Sequence, residues 1–474
     1  MPATEKKTIH PIVIIGGGPG GYEAARASRQ LGAEVVLIEE SGIGGNAVLT
    51  DVVPSKTLIA TAEAAERVGV AKSLGVTLLL EGKIVEPQIA IDLKTVNRRL
   101  LALAKDQSAE MRSTLEAEGV RIINGRATLD GNHHVLVQPL DGSASERIEA
   151  RTIIVATGAR PRELAQATPD GERIFNWKQL YTLDELPEHM IVVGSGVTGA
   201  EFASAYLYLG SEVTLISSRD KVLPGNDSDA ADLIERVFRT RGMNILNNTR
   251  AEKVENLGDS VRVTLADGGI VEGSHCLMAV GAIPNTQGLG LEEAGVALTP
   301  SGHVIANKVA RTSRANVYAV GDCSTGMPLA SVSAMMGRTA VYHTMGDVAA
   351  PTRVRNVASN VFTAPEIASV GWSQQEIEQG LVRGEIQKVM LETNPRAKMQ
   401  GIKDGFIKLY ASIGSGTVIG GVVVAPRASD LIYPIAMAVE NRLTVDQLAR
   451  TYTVYPSLSG SIADAASALH PTLD

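Results

Sequence analysis

Short apolar runs followed by glycine clusters set the pattern of this chain. Pro11-Ile12-Val13-Ile14-Ile15 is an uninterrupted apolar run of strand length. Runs of that kind belong to parallel strands buried on both faces. A glycine cluster, Gly16-Gly17-Gly18-Pro19-Gly20-Gly21, comes next, then a helical stretch over 22–31 and a second strand over 34–38 that ends at Glu39. The same order returns later: a strand at Met190-Ile191-Val192-Val193, the cluster Gly194-Ser195-Gly196-Val197-Thr198-Gly199, a helix over 200–209 and a strand over 212–216. No apolar run approaches the ~20 residues that a membrane span requires.

Each repeat predicts a dinucleotide site. In a strand, G-x-G-x-x-G, helix, strand, acid unit, the first glycine makes the tight turn and the second lets a pyrophosphate approach. The third permits close helix–strand packing, and the helix N-terminus faces the phosphates. Gly16, Gly18 and Gly21 fill these places in the first unit, and Glu39 can accept hydrogen bonds from an adenosine ribose. Gly194, Gly196 and Gly199 fill them in the second, where Ser217, Ser218 and Arg219 replace the acid. Small hydroxyls beside an arginine suit a 2′-phosphate, which favours NADPH with NADH also accepted. The plainer reading of Arg219 and Lys221, as solvated loop charges, stays open at this stage.

Composition narrows the class further. A chain of 474 residues has room for roughly three domains. A net charge of -8, with no basic arm or stripe, argues against nucleic acid as a partner. The N-terminal stretch MPATEKKTIH has no signal-peptide architecture, and a cytoplasmic location is expected. The two cysteines, Cys276 and Cys323, belong to no C-x-x-C or metal-ligand pattern and read as buried thiols. The histidines show no ligand spacing, so no metal site is expected.

The stretch Gly44-Gly45-Asn46-Ala47-Val48-Leu49-Thr50-Asp51-Val52-Val53-Pro54-Ser55-Lys56 resembles the redox-active segment of the flavoprotein disulfide reductases, the family of lipoamide dehydrogenase and glutathione reductase. That segment reads G-G-T-C-L-N-V-G-C-I-P-S-K in the family, and Ala47 and Val52 stand here in place of its two cysteines. The resemblance runs on through Ile153-Ile154-Val155-Ala156-Thr157-Gly158, the strand that crosses between the dinucleotide domains. It includes Gly281-Ala282-Ile283-Pro284-Asn285-Thr286, the turn at the return, and Val317-Tyr318-Ala319-Val320-Gly321-Asp322, the second FAD motif. Val361 to Gly371 is similar to the start of the family's dimerisation domain.

The resemblance implies an α/β fold of two Rossmann-type dinucleotide-binding domains, for FAD and NAD(P), plus a C-terminal α+β dimerisation domain. The implied segments are 1–153 (FAD, first part), 154–283 (NAD(P)), 284–350 (FAD and central, second part) and 351–474 (dimerisation). It implies FAD contacts at Gly16, Gly18, Gly21, Glu39, Gly45, Lys56, Thr157 and Gly158, with Asp322 on the ribityl chain. By the same alignment Ala127 meets the adenine and Ala330 lies beside the flavin ring, while Gly281 joins the NAD(P) set.

In the family, residues matching Lys56 and Glu201 form an ion pair beside the flavin and the incoming nicotinamide. An ammonium there stabilises the charge that a flavin acquires on reduction. The disulfide half of the chemistry is missing at both ends. Where the family reads H-x-H-P-T-L-S-E, this chain reads Thr453-Val454-Tyr455-Pro456-Ser457-Leu458-Ser459-Gly460, so Tyr455 replaces the acid–base histidine and Gly460 the glutamate that orients it. A phenol titrating near ~10 is a poor base at neutral pH.

The resemblance is strongest to a mycobacterial-type branch that lacks the redox cysteines and reduces quinones. The expectation is therefore a homodimeric FAD-dependent oxidoreductase that passes electrons from NADPH or NADH to a quinone. Lys56 and Glu201 serve the flavin in this reading, and Tyr455 serves the acceptor; the plainer reading of Tyr455 is an aromatic filler at the subunit seam. A pyridine nucleotide transhydrogenase and a retired FAD-binding member of the family are the alternatives.

Overall fold

The computed structural model describes residues 10–85 and 89–470, so the first nine residues, including most of the N-terminal stretch read above, lie outside the described residues. The chain forms two compact units.

The first unit takes in the chain up to Ser55, Arg98–Arg162 and Gly281–Arg353. Its seven-stranded sheet has the order Val317–Ala319, Thr152–Val155, Ile12–Ile15, Val35–Glu39, Arg121–Asp130, His134–Pro139 and Glu146–Glu149. The first five strands run parallel, with Ile14 level with Leu37 on one side and Ile154 on the other. The last two strands add an antiparallel edge. Ile12–Ile15 and Thr152–Val155 are buried at every position, which explains why they are apolar rather than alternating, apart from Thr152, whose hydroxyl is bonded to that of Thr344 at 2.7 Å. Val13, Ile15, Ile153, Val155, Val317 and Ala319 share one core beneath the sheet.

Helix Pro19–Gln30 packs against helix Ala330–Met345, and a Cβ on Gly337 would strike the Gly20 carbonyl. The helix starts three residues earlier than the sequence reading placed it. Gly20 and Gly21 lie inside its first turn, with Pro19 pre-set for an N-terminal position and Tyr22 N–H bonded to Gly18 O at 2.8 Å. Glycine clusters read as loop from propensity, and the backbone bonds of the first turn outweigh that preference.

The second unit takes in Lys56–Asn97, Glu163–Val280 and the chain from Val354 onward. A parallel five-stranded sheet has the order Ile174–Phe175, His275–Met278, His189–Val193, Glu212–Ile216 and Asn244–Leu246. Helix Val197–Leu209 follows its middle strand, again starting ahead of the expected 200, with Ala200 N–H on Gly196 O at 2.9 Å. A second, antiparallel sheet orders Ser359–Val361, Glu366–Gly371, Val418–Ala425, Phe406–Ser412 and Gly384–Met390. Its inner face is covered by Ile435 and Ala438 from helix Tyr433–Glu440 and by Ile462, Ala465 and Ala466 from helix Gly460–Ala468.

Strand Phe406–Ser412 of this sheet is joined by ions to the N-terminus of helix Ser228–Thr240. Lys408 Nζ, its side chain 2% exposed, sits 2.8 Å from Asp227 Oδ1 and 3.0 Å from Asp229 Oδ2, and Tyr410 donates its hydroxyl to Asp227 Oδ2 at 3.1 Å. A buried ammonium is tolerable only with such a full set of acceptors. No helix among the described residues is long and apolar enough to cross a membrane.

Candidate active site

The two glycine clusters show what each glycine is for. Gly16 (φ +103°) and Gly194 (φ +114°) hold left-handed turns. A Cβ on Gly21 or Gly199 would run into the carbonyl of Gly16 or Gly194, so these two keep helix and strand close. Gly18 and Gly196 differ. Their φ angles, -63° and -73°, suit any residue, and apart from the chain neighbours nothing among the described residues lies within 4 Å of a Cβ built on either. Neither backbone strain nor internal packing accounts for glycine at these two positions. The space each leaves faces the N-terminus of a helix, where unsatisfied N–H groups attract phosphate. Both clusters therefore fit a bound pyrophosphate.

Glu39 closes the first strand pair of that unit. Its Oε2 accepts from Gly17 N at 2.5 Å, and its Oε1 accepts from Ser41 N at 2.7 Å and Gly42 N at 3.2 Å. A carboxylate has about four acceptor sites, so room remains for a ribose hydroxyl. Asp322 lies in the turn Gly321–Cys323 after the edge strand; burial pushes its carboxyl above the usual carboxylate range, and His303 pulls the other way. A polyol donating to Asp322 would relieve that burial.

Thr157 and Gly158 follow the strand Thr152–Val155. Thr157 Oγ1 donates to Asn285 O at 2.6 Å and Asn285 Nδ2 donates back to Thr157 O at 3.0 Å, so the outgoing and returning strands are tied at this point. Ala159–Pro161 then pairs antiparallel with Ala282–Pro284, and Gly281 (φ +98°) precedes the latter. Ala127 is buried in strand Arg121–Asp130 opposite Val137, and Ala330 is exposed at the first position of its helix.

The segment that resembles the redox-active one folds as helix Gly45–Leu49 followed by helix Val52–Val70. Ala47 is half-buried and Val52 is 36% exposed. Asn46, which sequence reading passed over, fastens the segment by donating Nδ2 to Ala159 O at 2.5 Å.

In the second unit Lys56 and Glu201 meet. Lys56 Nζ lies 2.7 Å from Glu201 Oε2, the side chains being 25% and 6% exposed. Glu201 is carried on the buried face of helix Val197–Leu209, and its other oxygen accepts from Phe362 N at 2.9 Å. The Phe362 ring also covers the ammonium, with Lys56 Nζ 4.9 Å from its centroid. Phe362 was not singled out by the sequence; its only signal there was its place at the head of the 361–371 motif.

At the far end of strand Glu212–Ile216, the three residues read as a phosphate site divide. Ser217 is buried, and its hydroxyl is bonded to Ser195 Oγ at 2.7 Å and accepts from Arg219 N at 3.1 Å. It shapes the turn, while Ser218 and Arg219 are exposed. Lys221 is held by Asp232 at 2.7 Å, whereas Arg219 forms no ion pair among the described residues. Tyr455 is 82% exposed, beside Tyr452 and Val454, and Gly460 begins the helix Gly460–Ala468 with its N–H on Ser457 Oγ at 3.1 Å. Both cysteines are buried, as expected.

Residues 10–337 match the family described as Pyridine nucleotide-disulphide oxidoreductase, and residues 357–466 match that family's dimerisation domain. The chain is 49% identical over 475 residues to a Mycobacterium tuberculosis protein named NAD(P)H dehydrogenase (quinone), covering 98% of this chain and 95% of that protein. Its identity to the dihydrolipoyl dehydrogenase of Bacillus subtilis is 30%, over 96% of this chain and 95% of the relative. The crystal structure of LpdA from Mycobacterium tuberculosis superposes with a TM-score of 0.92 at 47% identity, covering 98% of this chain and 100% of that one. A flavoprotein disulfide reductase of Escherichia coli, RclA, shares the fold with a TM-score of 0.84 at 24% identity, over 97% and 99% of the two chains. Two dinucleotide units and a C-terminal dimerisation domain thus make this chain a member of the pyridine nucleotide-disulphide oxidoreductase family.

Proposed function

We propose that this chain is an FAD-dependent NAD(P)H:quinone oxidoreductase, working as a homodimer in the cytoplasm. The observation that carries the proposal is a divided inheritance. The Lys56–Glu201 pair is kept at 2.7 Å, while Ala47, Val52, Tyr455 and Gly460 occupy the places of the dithiol relay. The name of the Mycobacterium tuberculosis relative, at 49% identity, supports the same reading, with dihydrolipoyl dehydrogenases more distant at 30%. The matched dimerisation domain supports the homodimer.

The family uses FAD and NAD(P)H. Gly16, Gly18, Gly21 and Glu39 would hold the ADP half of FAD, Asp322 would receive the ribityl chain, and Gly45, Ala127, Thr157, Gly158 and Ala330 complete the set that the family pattern assigns. FAD bound there supplies two-electron redox chemistry between a hydride donor and an acceptor. Gly194, Gly196 and Gly199 would take the pyrophosphate of NAD(P)H, with Gly281 nearby in sequence to the return strand and Arg219 on a 2′-phosphate. Ser217 contributes by fixing the turn, since its hydroxyl is already bonded. The segments 1–153 and 284–350 would then form the FAD part, 154–283 the NAD(P) part and 351–474 the dimerisation part.

Lys56 supplies a fixed positive charge, and Glu201 orients it and offsets the cost of its burial. Ala47 and Val52 offer apolar surface in place of thiols, and Tyr455, which in the family's dimer would arrive from the second subunit, offers an aromatic ring with a hydroxyl; such surfaces suit a flat quinone. The net reaction is NAD(P)H + H⁺ + quinone giving NAD(P)⁺ + quinol, which balances in two electrons and two protons. Steady-state oxidation of NADPH and NADH with a panel of quinones tests this, with lipoamide as the control. Quinone reduction without lipoamide reduction is expected. The reverse pattern would sink the proposal, and hydride exchange between NADPH and an NAD⁺ analogue without quinone would point instead to a transhydrogenase.

A further inference from the structure

Glu201 has two carboxylate oxygens and both are assigned. Oε2 faces Lys56 Nζ at 2.7 Å, and Oε1 accepts from the backbone N–H of Phe362 at 2.9 Å. The same residue therefore touches both members of the pair, because its ring centroid lies 4.9 Å from Lys56 Nζ. That distance is within the reach of a cation–π attraction, which strengthens as the cation loses water. Lys56 is only 25% exposed.

Phe362 is itself held in place by a stripe of helix Val197–Leu209. Glu201, Ser204 and Tyr208 fall on one helical face by their spacing. Ala364 N donates to Ser204 Oγ at 3.2 Å, and Tyr208 OH donates to Ala364 O at 3.0 Å. Thr363 adds a local bond, Oγ1 to Pro365 O at 2.7 Å. The segment running from Phe362 to Ala364 is thus fastened at both ends to the helix that carries Glu201. Arg241 lies 4.2 Å over the Tyr208 ring and is paired with Glu66, which steadies the outer end of the clamp. A lysine side chain has four rotatable bonds and loses considerable entropy when fixed. One carboxylate oxygen sets its distance but leaves its direction free, and the ring face removes that freedom.

We propose that Phe362 is a positioning residue for the redox reaction: its ring fixes the direction of the Lys56 ammonium while its N–H fixes Glu201. The proposal rests on the reading that Lys56 serves the flavin. It assigns to the segment that opens the dimerisation domain a part in tuning the redox centre.

The test uses the full-length holoenzyme. Anaerobic stopped-flow reduction by NADPH and the midpoint potential of the bound flavin are measured for wild type, Phe362→Leu, Phe362→Tyr, Lys56→Met and Lys56→Met with Phe362→Leu. Phe362→Leu is expected to slow flavin reduction about fivefold, the scale of a partly desolvated cation–π contact. It should also lower the midpoint potential, with the dissociation constant for NADPH unchanged. Phe362→Tyr, which keeps a ring face, should restore both. In the Lys56→Met background the Leu substitution should change the rate by less than about 1.5-fold, since the interaction it removes is already gone.

Equal slowing in both backgrounds, or failure of the Tyr variant to rescue, would overturn the proposal by reducing Phe362 to a packing residue. A slow Lys56→Met with a normal Phe362→Leu would overturn it while leaving the role of Lys56 intact. A normal Lys56→Met would remove the underlying reading and this one with it. If Phe362→Leu does not retain FAD, Phe362→Met takes its place, and loss of the cofactor from both would itself mark the ring as structural and overturn the proposal.

Discussion

Replacing Lys56 by methionine keeps a side chain of similar length and deletes one charge. Lys56 Nζ is 2.7 Å from Glu201 Oε2 with a quarter of its side chain exposed (25%), so its field is partly screened. Unit charges about 4 Å apart near a protein surface interact by about 4 kcal/mol. Loss of one preorganised electrostatic group from an active site costs about 2.7–4 kcal/mol in the transition state. Because Glu201 already offsets part of the charge, the low end applies, which is about a hundredfold in rate. Anaerobic stopped-flow bleaching of the flavin by saturating NADPH reads this directly. FAD content and the dissociation constant for NADPH should change less than twofold.

A second effect accompanies the first. Glu201, 6% exposed, is left facing no cation, and an unpaired buried charge costs about 3–5 kcal/mol. The bond from Phe362 N to Oε1 survives and holds the loss to the lower part of that range. Melting should fall by several degrees, at roughly 2–4 °C per kcal/mol for a domain of 150–250 residues. A Lys56→Met protein that keeps its FAD and reduces it within threefold of the wild-type rate would refute the reasoning.

Three further outcomes are expected. Gly18→Ala should fold normally but lose FAD, since its Cβ meets nothing beyond its chain neighbours among the described residues, whereas Gly21→Ala should lose both FAD and thermal stability because its Cβ meets the Gly16 carbonyl; flavin absorbance per chain and circular dichroism melting separate the two, and equal behaviour would contradict the assignment. Arg219→Ala should raise KM for NADPH about tenfold, the scale of one exposed charge-assisted contact, and leave NADH nearly unchanged; equal effects on both nucleotides would make Arg219 a solvated loop charge. Acid should destabilise the second unit through His275, held near a pKa of about 4 by burial and by Arg173 against an ordinary 6.5. A depressed folded-state pKa means the unfolded chain takes the proton first, so stability is lost as pH falls from 6.5 towards 4. Discounted for partial exposure the loss is about 2 kcal/mol, and His275→Gln should remove that share of the acid limb in chemical denaturation.

Both dinucleotide units were legible in the sequence because their determinants are local. Strand, glycine turn and helix follow one another within a few residues, and the constraints on Gly21 and Gly199 arise from carbonyls of the same short segment, whereas Gly16 and Gly194 are also crowded by Ala156 and Ala279, which follow strands far along the chain. The pairing of Lys56 with Glu201, across 145 residues, was legible only through family pattern. Spacing alone does not say which helix faces which.

Tertiary structure decided the rest. It turned Ser217 inward onto Ser195, leaving Ser218 and Arg219 exposed, because a hydroxyl at the end of a buried strand finds its partners in the neighbouring glycine loop. It brought Phe362 to Glu201 across 161 residues, joining the dimerisation sheet to the helix of a nucleotide unit. A phenylalanine carries no sequence mark that distinguishes a core filler from a ring laid over an ammonium. That difference is one of placement, and placement is settled only when distant segments compete for the same helix face and one set of hydrogen bonds wins.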